Sequence, residues 1–452
     1  MIIITPYESA FALLAVMACV AMVGCRPSGA ERPLILVVSG DTNGWIVPCG
    51  CTSNQSGGLP RRATLIKALR RRAEVVAVDV GGAAHGTSSY DLAKFKAILS
   101  GEMEMRVAAH NIGAAEARFG PDELRRLAKE MNVPLLSANV RDAAGTLVAE
   151  PVRLVSAAGR WLALVGVLAE RYATAEVEVT PPREAVVEAL AGVAGKYDAA
   201  IVLAYLPEDE LRQLAEALPE ADVIVGGPTG QPIAPKQIGP TLLTSATNKG
   251  KFVVRLDAPP LRSAAGWKGS IVELSERYAD DPAQRDGVAR FRIELRRSDF
   301  APGQTSFADP LPTNLPKGFA VAGTAACKKC HEDDCRQWRE SKHTMAWKAL
   351  KTTGSHVDPE CQRCHTTGYG LPGGFASIRD DAPPHDRVNV GCEDCHGPSQ
   401  AHVADSAVHT PRFARAKDCC TACHDRENSP KFDYDKYWEK IRHGQKAKEN
   451  VP

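Results

Sequence analysis

Residues 327–331 read Cys327-Lys328-Lys329-Cys330-His331, and the same Cys-x-x-Cys-His pattern returns as Cys361-Gln362-Arg363-Cys364-His365, Cys392-Glu393-Asp394-Cys395-His396 and Cys420-Thr421-Ala422-Cys423-His424. With 14 Cys and 12 His in 452 residues, chance supplies only about 0.01 matches over the whole chain. The pattern suits covalent haem attachment. Two thiols at this spacing reach the two vinyl groups of one porphyrin while the next imidazole turns onto the iron. Zinc ribbons also use Cys-x-x-Cys pairs, but a His directly after every second Cys has no reason to recur four times in a zinc fold. The reading is therefore four covalently attached haem c groups. Cys327, Cys330, Cys361, Cys364, Cys392, Cys395, Cys420 and Cys423 are the attachment residues, and His331, His365, His396 and His424 the proximal iron ligands.

Around these motifs, residues 320–444 contain few long apolar runs, so the porphyrins must supply most of the core of a small, mainly α or irregular multihaem domain. Six further histidines are available on the distal side: His343, His356, His385, His402, His409 and His443. Met345 is the single methionine of this stretch. Methionine ligation raises a cytochrome potential, so the composition favours bis-histidine, relatively low-potential haems. For His356, His385 and His409 a solvated surface role is an equally good reading. Upstream, Pro302, Pro310, Pro312 and Pro316 fall in a stretch without apolar periodicity, which marks 298–318 as a linker.

Residues 33–297 read differently. Strand-like runs such as Leu34 to Val38, Val75 to Val78, Leu162 to Val167, Ala200 to Leu203 and Val223 to Val225 alternate with helical patterns. The helical stretches are Ala63 to Arg72, Asp122 to Met131, Glu184 to Val193 and Glu208 to Ala217. This alternation predicts an α/β domain around a largely buried sheet. Residues 1–25 read as an export signal: Phe11 to Gly24 is an apolar run too short for a comfortable membrane span, and Cys25 follows as a lipidation site. No Lys or Arg precedes Arg26, and Met22 stands where such signals usually carry Leu, so an uncleaved anchor helix is the alternative. The expected location is the periplasm or cell envelope, with redox proteins as partners and a membrane contact through lipid at Cys25. The net charge of +1 gives no electrostatic argument for nucleic acid.

The series formed by the first motif, Trp338-Arg339-Glu340-Ser341-Lys342-His343, the second motif, and Gly391 to His396 running into Gly397-Pro398-Ser399-Gln400-Ala401-His402 resembles a tetrahaem cytochrome family. Its members accept electrons from hydroxylamine oxidoreductase. The resemblance implies distal ligation by His343, His402 and His443, closely stacked haem pairs, and a five-coordinate iron to be sought at the second motif. Cys335 and Cys419 are departures from that pattern, either joined as a disulfide or left as surplus thiols.

A second resemblance rests on Ser39-Gly40-Asp41-Thr42-Asn43-Gly44-Trp45-Ile46, Gly57-Gly58-Leu59-Pro60-Arg61-Arg62-Ala63-Thr64 and Leu135-Leu136-Ser137-Ala138-Asn139-Val140. These segments are similar to the N-terminal domain of 5′-nucleotidases, which are calcineurin-like metallophosphoesterases, and imply a metallophosphoesterase-like β-sandwich flanked by helices. That chemistry needs a full set of Asp, Asn and His ligands around two ions. Here the Asp-x-His position reads Asp41-Thr42-Asn43, Gly-Asp reads Gly81-Gly82, and Gly-Asn-His-Glu reads Gly113-Ala114-Ala115-Glu116. A later histidine corresponds to Tyr205, and the final Gly-His-x-His reads Gly227-Pro228-Thr229-Gly230. Just past the first strand, Cys49 and Cys51 flank Gly50, a thiol pair suited to redox chemistry, a soft metal or a sulfur ligand, and equally to a structural loop disulfide. The leading expectation is an electron carrier whose α/β domain docks a partner or ligand. The alternative is an oxidoreductase acting on a small nitrogen or sulfur compound at an open haem or at Cys49/Cys51, and a surviving phosphoesterase ranks third.

Overall fold

The computed structural model describes residues 32–48, 55–261, 263, 265–308, 310–410 and 416–443. Cys25, Cys49, Cys51 and the leader lie outside the described residues. Among those described, no helix is long and apolar enough to cross a membrane.

Two six-stranded sheets build the N-terminal domain. The first contains β1 (Leu34–Ser39), β2 (Glu74–Asp79), β3 (Val107–Asn111), β4 (Leu135–Leu136), β13 (Phe252–Asp257) and β14 (Lys268–Glu273), in the order β14-β13-β1-β2-β3-β4. The second contains β6 (Val152–Ala157), β7 (Arg160–Leu168), β9 (Ala199–Tyr205), β10 (Val223–Gly227), β11 (Lys236–Ile238) and β12 (Thr241–Ser245), in the order β11-β12-β10-β9-β7-β6. A two-stranded ribbon of β5 (Val140–Asp142) and β8 (Val177–Val179) sits beside them. The expected runs are all strands: β1, β2, β7, β9 and β10 are nearly continuous apolar segments buried on both faces, as inner parallel strands require. One core cluster joins the two facing sheets, from Leu36 and Val78 to Leu164 and Ile201. A second cluster packs Val186, Leu190, Leu211 and Leu214 of the outer helices onto the far face of the second sheet.

Helices α1 (Leu59–Arg70), α2 (Ser89–Glu104), α3 (Ala114–Ala117), α4 (Pro121–Met131), α5 (Pro182–Ala191), α6 (Glu208–Ala217) and α7 (Pro282–Ser298) surround the sheets. Local chemistry starts them well. Ser88 and Asp91 form a reciprocal capping box at α2, Asp281 caps α7, and proline opens α4. Helix α2 packs against α7.

Parallel β1, β2 and β3 end side by side, and β9 and β10 end at the same edge of the second sheet. Asn111 pins the two sheets together there. Its Nδ2 donates to the carbonyl of Val80, after β2, at 2.9 Å and to that of Val167, in β7, at 3.0 Å.

The C-terminal region is built from short helices: α8 (Thr324–Cys327), α9 (Glu332–Glu340), α10 (Ala346–Thr353), α11 (Pro359–His365), α12 (Glu393–His396), α13 (Gln400–Ala404), α14 (Ala416–Thr421) and α15 (Tyr434–Trp438). Its apolar cluster among the described residues is small, with Trp347, Leu350, Phe375 and Val388 at the centre. The Pro-rich stretch expected to act as a linker packs firmly: Phe300 and Phe307 both meet the Tyr90 ring edge-on, and Pro302 is buried.

Asn111→Ala leaves two buried carbonyls without their donor, and each unpaired group costs about 1–3 kcal/mol. A fall in stability of about 2–6 kcal/mol is expected, read as a lower urea midpoint with an unchanged slope.

Candidate functional site

Each Cys-x-x-Cys-His motif occupies one tight helical turn. The amides of His331, His396 and His424 donate to the carbonyls of Cys327, Cys392 and Cys420 at 2.9, 3.0 and 2.9 Å. Residues i, i+3 and i+4 of a turn share a face, so both thiols and the imidazole present to the same side.

Imidazoles from distant segments meet these motif histidines. Ring centroids lie 6.3 Å apart for His331 and His402, 6.2 Å for His424 and His343, and 5.8 Å for His396 and His443. A first-row metal bonds imidazole nitrogen at about 2.0–2.1 Å, which puts two trans imidazoles about 6 Å apart between centroids. The spacing of all three pairs fits an iron between the rings. Second partners fix the ring nitrogens. Nδ1 of His402, His365 and His443 donates to the carbonyls of Val408, Ala346 and Ile441 at 2.8, 2.8 and 2.9 Å. His424 Nδ1 lies 2.9 Å from Ser429 Oγ. Bonding at Nδ1 selects the tautomer that leaves Nε2 for a metal. Burial, reinforced by neighbouring imidazoles, lowers the pKa of His343 and His424 and so favours the neutral form that ligates.

The other histidines do different work. His356 Nε2 accepts from Arg296 at 3.2 Å and meets Trp347 edge-on. His385 lies 3.6 Å from the Asp381 carboxylate, and His409 is exposed.

Thiol contacts show which motifs are neighbours. The thiol of Cys327 in the first motif lies beside that of Cys392 in the third, and the thiol of Cys364 in the second beside that of Cys423 in the fourth. Cys335 is buried near Cys392, whereas Cys419 contacts Cys395 and the Asp394 carbonyl, so these two surplus thiols are free and flank different cysteines of the third motif.

At the sheet edge, Asp41 accepts from Thr247 Oγ1 at 2.7 Å, and its pKa is raised to about 6, chiefly by burial. Asn43 Oδ1 sits 3.0 Å from His85 Nδ1. Glu116 accepts from the amides of Ala83 and Ala84 at 2.5 and 3.1 Å. Tyr205 fills the space over Gly82: a Cβ there would lie 2.5 Å from the Tyr205 ring and 2.9 Å from its hydroxyl oxygen.

Beneath this edge lies a buried ionic network that spacing in the chain did not announce. Asp79, Glu102 and His110 bring potential ligand atoms within 4.8 Å of one another. Arg62 already stands among them, with Nη1 at 3.4 Å from Asp79 and 3.5 Å from Glu102, and Nη2 donating to Thr42 at 2.7 Å. Burial alone would lower the His110 pKa, but the Glu102, Glu116 and Asp79 carboxylates more than offset it and hold the ring protonated. His110 and Arg62 likewise more than offset the effect of burial on Asp79 and lower its pKa.

Comparison with known proteins follows the same division of the chain. Residues 326–397 match the family model of cytochrome c554 and c-prime. Over 142 residues the chain is 29% identical to cytochrome c-554 of Nitrosomonas europaea, covering 24% of this chain and 59% of that protein. The chain thus spans under two thirds of the curated relative. Among solved structures, the 5′-nucleotidase precursor of Thermus thermophilus matches with a TM-score of 0.50 and 19% identity, covering 60% of each chain. The calcineurin-like phosphoesterase YfkN of Bacillus subtilis matches at 0.51 and 16%, covering 58% of this chain and 97% of that one. The NAD nucleotidase NadN of Haemophilus influenzae matches at 0.52 and 14%, over 65% and 64%. At these identities the structures establish fold alone.

The N-terminal part therefore has the 5′-nucleotidase and calcineurin-like phosphoesterase fold. The C-terminal part resembles cytochrome c554.

Because burial raises the Asp41 pKa to about 6, this group favours folding fully below its unfolded pKa near 3.8, and that contribution is lost as pH rises through 6. Asp41→Asn should raise stability at pH 8 by roughly 2–3 kcal/mol and leave it little changed at pH 3.5, checked by denaturant titration at both pH values.

Proposed function

We propose that the protein is an exported tetrahaem c-type cytochrome that transfers electrons, and that its phosphoesterase-like domain has lost its metal ligands and serves docking or ligand binding. The observation that carries the first part is the set of three imidazole pairs at 5.8–6.3 Å, each joining a motif histidine to one from a distant segment. His331 with His402, His424 with His343, and His396 with His443 would hold three irons, and His365 the fourth. The motif cysteines would hold the porphyrins. Bound haem supplies one-electron exchange. The chain's part is positional. Bonds at Nδ1 orient the imidazoles of His365, His402, His424 and His443, and the contacts of the first motif with the third and the second with the fourth support two close pairs.

Loss of the hydrolytic metals is supported by the edge of the sandwich. Among the positions that should supply ligands are Asn43, Gly82, Ala114, Ala115, Tyr205, Pro228 and Gly230, and Tyr205 takes up the space in which a side chain at residue 82 would project. Asp41 is already engaged by Thr247. These residues do not fit a two-metal centre, and hydrolysis through one has no place in this reading. Export agrees with haem attachment outside the cytoplasm, and anchoring through lipid at Cys25 belongs to the same proposal. Redox proteins are the expected partners.

Pyridine haemochrome analysis against chain concentration should give four haems per chain. Electron paramagnetic resonance of the oxidised protein should show at least three low-spin irons, and His402→Ala should convert one of them to high spin without loss of haem. Fewer than four haems, or no spin change in that variant, would remove the assignment. A high-spin iron that binds nitric oxide would instead favour the oxidoreductase alternative at the second motif.

A further inference from the structure

Where the two parts of the chain meet, a buried lysine of the phosphoesterase-like domain reaches the second haem motif. Lys94, in the middle of α2, is 5% exposed. Its Nζ donates to Tyr90 Oη at 2.9 Å and bonds the Glu360 carboxylate. Tyr90 in turn donates to Asp358 at 2.6 Å. Asp358 caps α11 by accepting from the Glu360 amide at 3.1 Å, and Glu360 directly precedes Cys361, the first thiol of the motif. The Cys361 thiol lies within electrostatic range of both Tyr90 and Lys94. Burial alone would lower the Lys94 pKa, but Glu360 and Asp358 more than offset it, so the ammonium stays charged.

We infer that Lys94 is a positioning residue for redox potential: its buried charge, delivered from the phosphoesterase-like domain, raises the potential of the haem held at Cys361–His365. The inference rests on the haem reading above and adds to it a role for the N-terminal domain. A buried ion pair adds little to stability relative to an apolar isostere, so fold stability by itself gives weak reason for a lysine here. A charge in a low-dielectric interior acts strongly on a neighbouring redox group, because reduction adds one negative charge and a nearby cation favours that state. Glu360 acts with the opposite sign. The other charged or titratable groups facing the cluster are Arg363, which stacks on Phe307 at 5.0 Å, together with His85 and Asp91. The variants below leave these three in place.

The test is a potentiometric titration of the full-length holoprotein, followed optically and by electron paramagnetic resonance, on Lys94→Met, Glu360→Gln and the double variant. Lys94→Met should make one haem harder to reduce, by up to about tenfold in the equilibrium constant, or about 59 mV for a one-electron couple. Glu360→Gln should shift the same haem the other way, the double variant should return it near the starting value, and the remaining haems should not move. A purely structural role would move both single variants in the same direction or disturb several haems together, and either result overturns the inference. So does the absence of any shift. Haem content of a Cys361→Ser/Cys364→Ser variant separates the two readings: if it equals wild type, the second motif carries no haem and the haem assignment itself fails there.

Discussion

The C-terminal region has too little apolar surface to hold itself together. Among the described residues its buried cluster centres on four side chains, and the helices are short, well below the length at which an isolated helix persists in water. Under that constraint, the imidazole pairs become the organising contacts. His331 with His402, His343 with His424 and His396 with His443 each tie together segments far apart in the chain. In the proposed reading, a haem seated between such rings would bring a large flat apolar surface, so ligation and core formation would be one event, much as metal binding and folding are coupled in other small metal-dependent domains.

The N-terminal domain solves the opposite problem. Two sheets bury a continuous apolar core of side chains between them, and the difficult part is the polar edge where the parallel strands end. Open α/β sheets leave unpaired backbone groups and a crevice at that edge, which is why ligands gather there. In this chain Asn111 Nδ2, Glu116 Oε1 and the Asp41 carboxylate are engaged by backbone and side-chain partners, and Tyr205 closes over Gly82. The buried charges of Asp79, Glu102 and His110 are balanced from within by Arg62.

The two halves meet through charged and aromatic contacts placed beside the second and fourth motifs. Lys94 and Tyr90 hold Glu360 and Asp358 just ahead of Cys361. Lys251 and Lys249 bond Glu427, in the loop whose Ser429 orients His424. Charged side chains of the N-terminal domain are thus brought next to the second and fourth Cys-x-x-Cys-His motifs.

Much of this was legible in the chain. The Cys-x-x-Cys-His pattern spans five consecutive residues and so can be read without any fold, and the continuous apolar runs at 34–38, 162–167 and 200–203 announced buried strands for the same local reason. The glycines and alanines at 82, 114 and 115 could be seen to lack ligating groups. Pairing across distance is another matter. Nothing in the spacing of His343, His402 and His443 says which motif each faces, that Tyr205 fills the space above Gly82, that Arg62 neutralises Asp79 and Glu102, or that a lysine four residues after Tyr90 reaches Glu360. Those contacts join residues whose separation along the chain bears no relation to their separation in space. Covalent spacing was therefore enough to determine the Cys-x-x-Cys-His turns and the strands, while only the folded packing of one segment against another decided which side chains share a site.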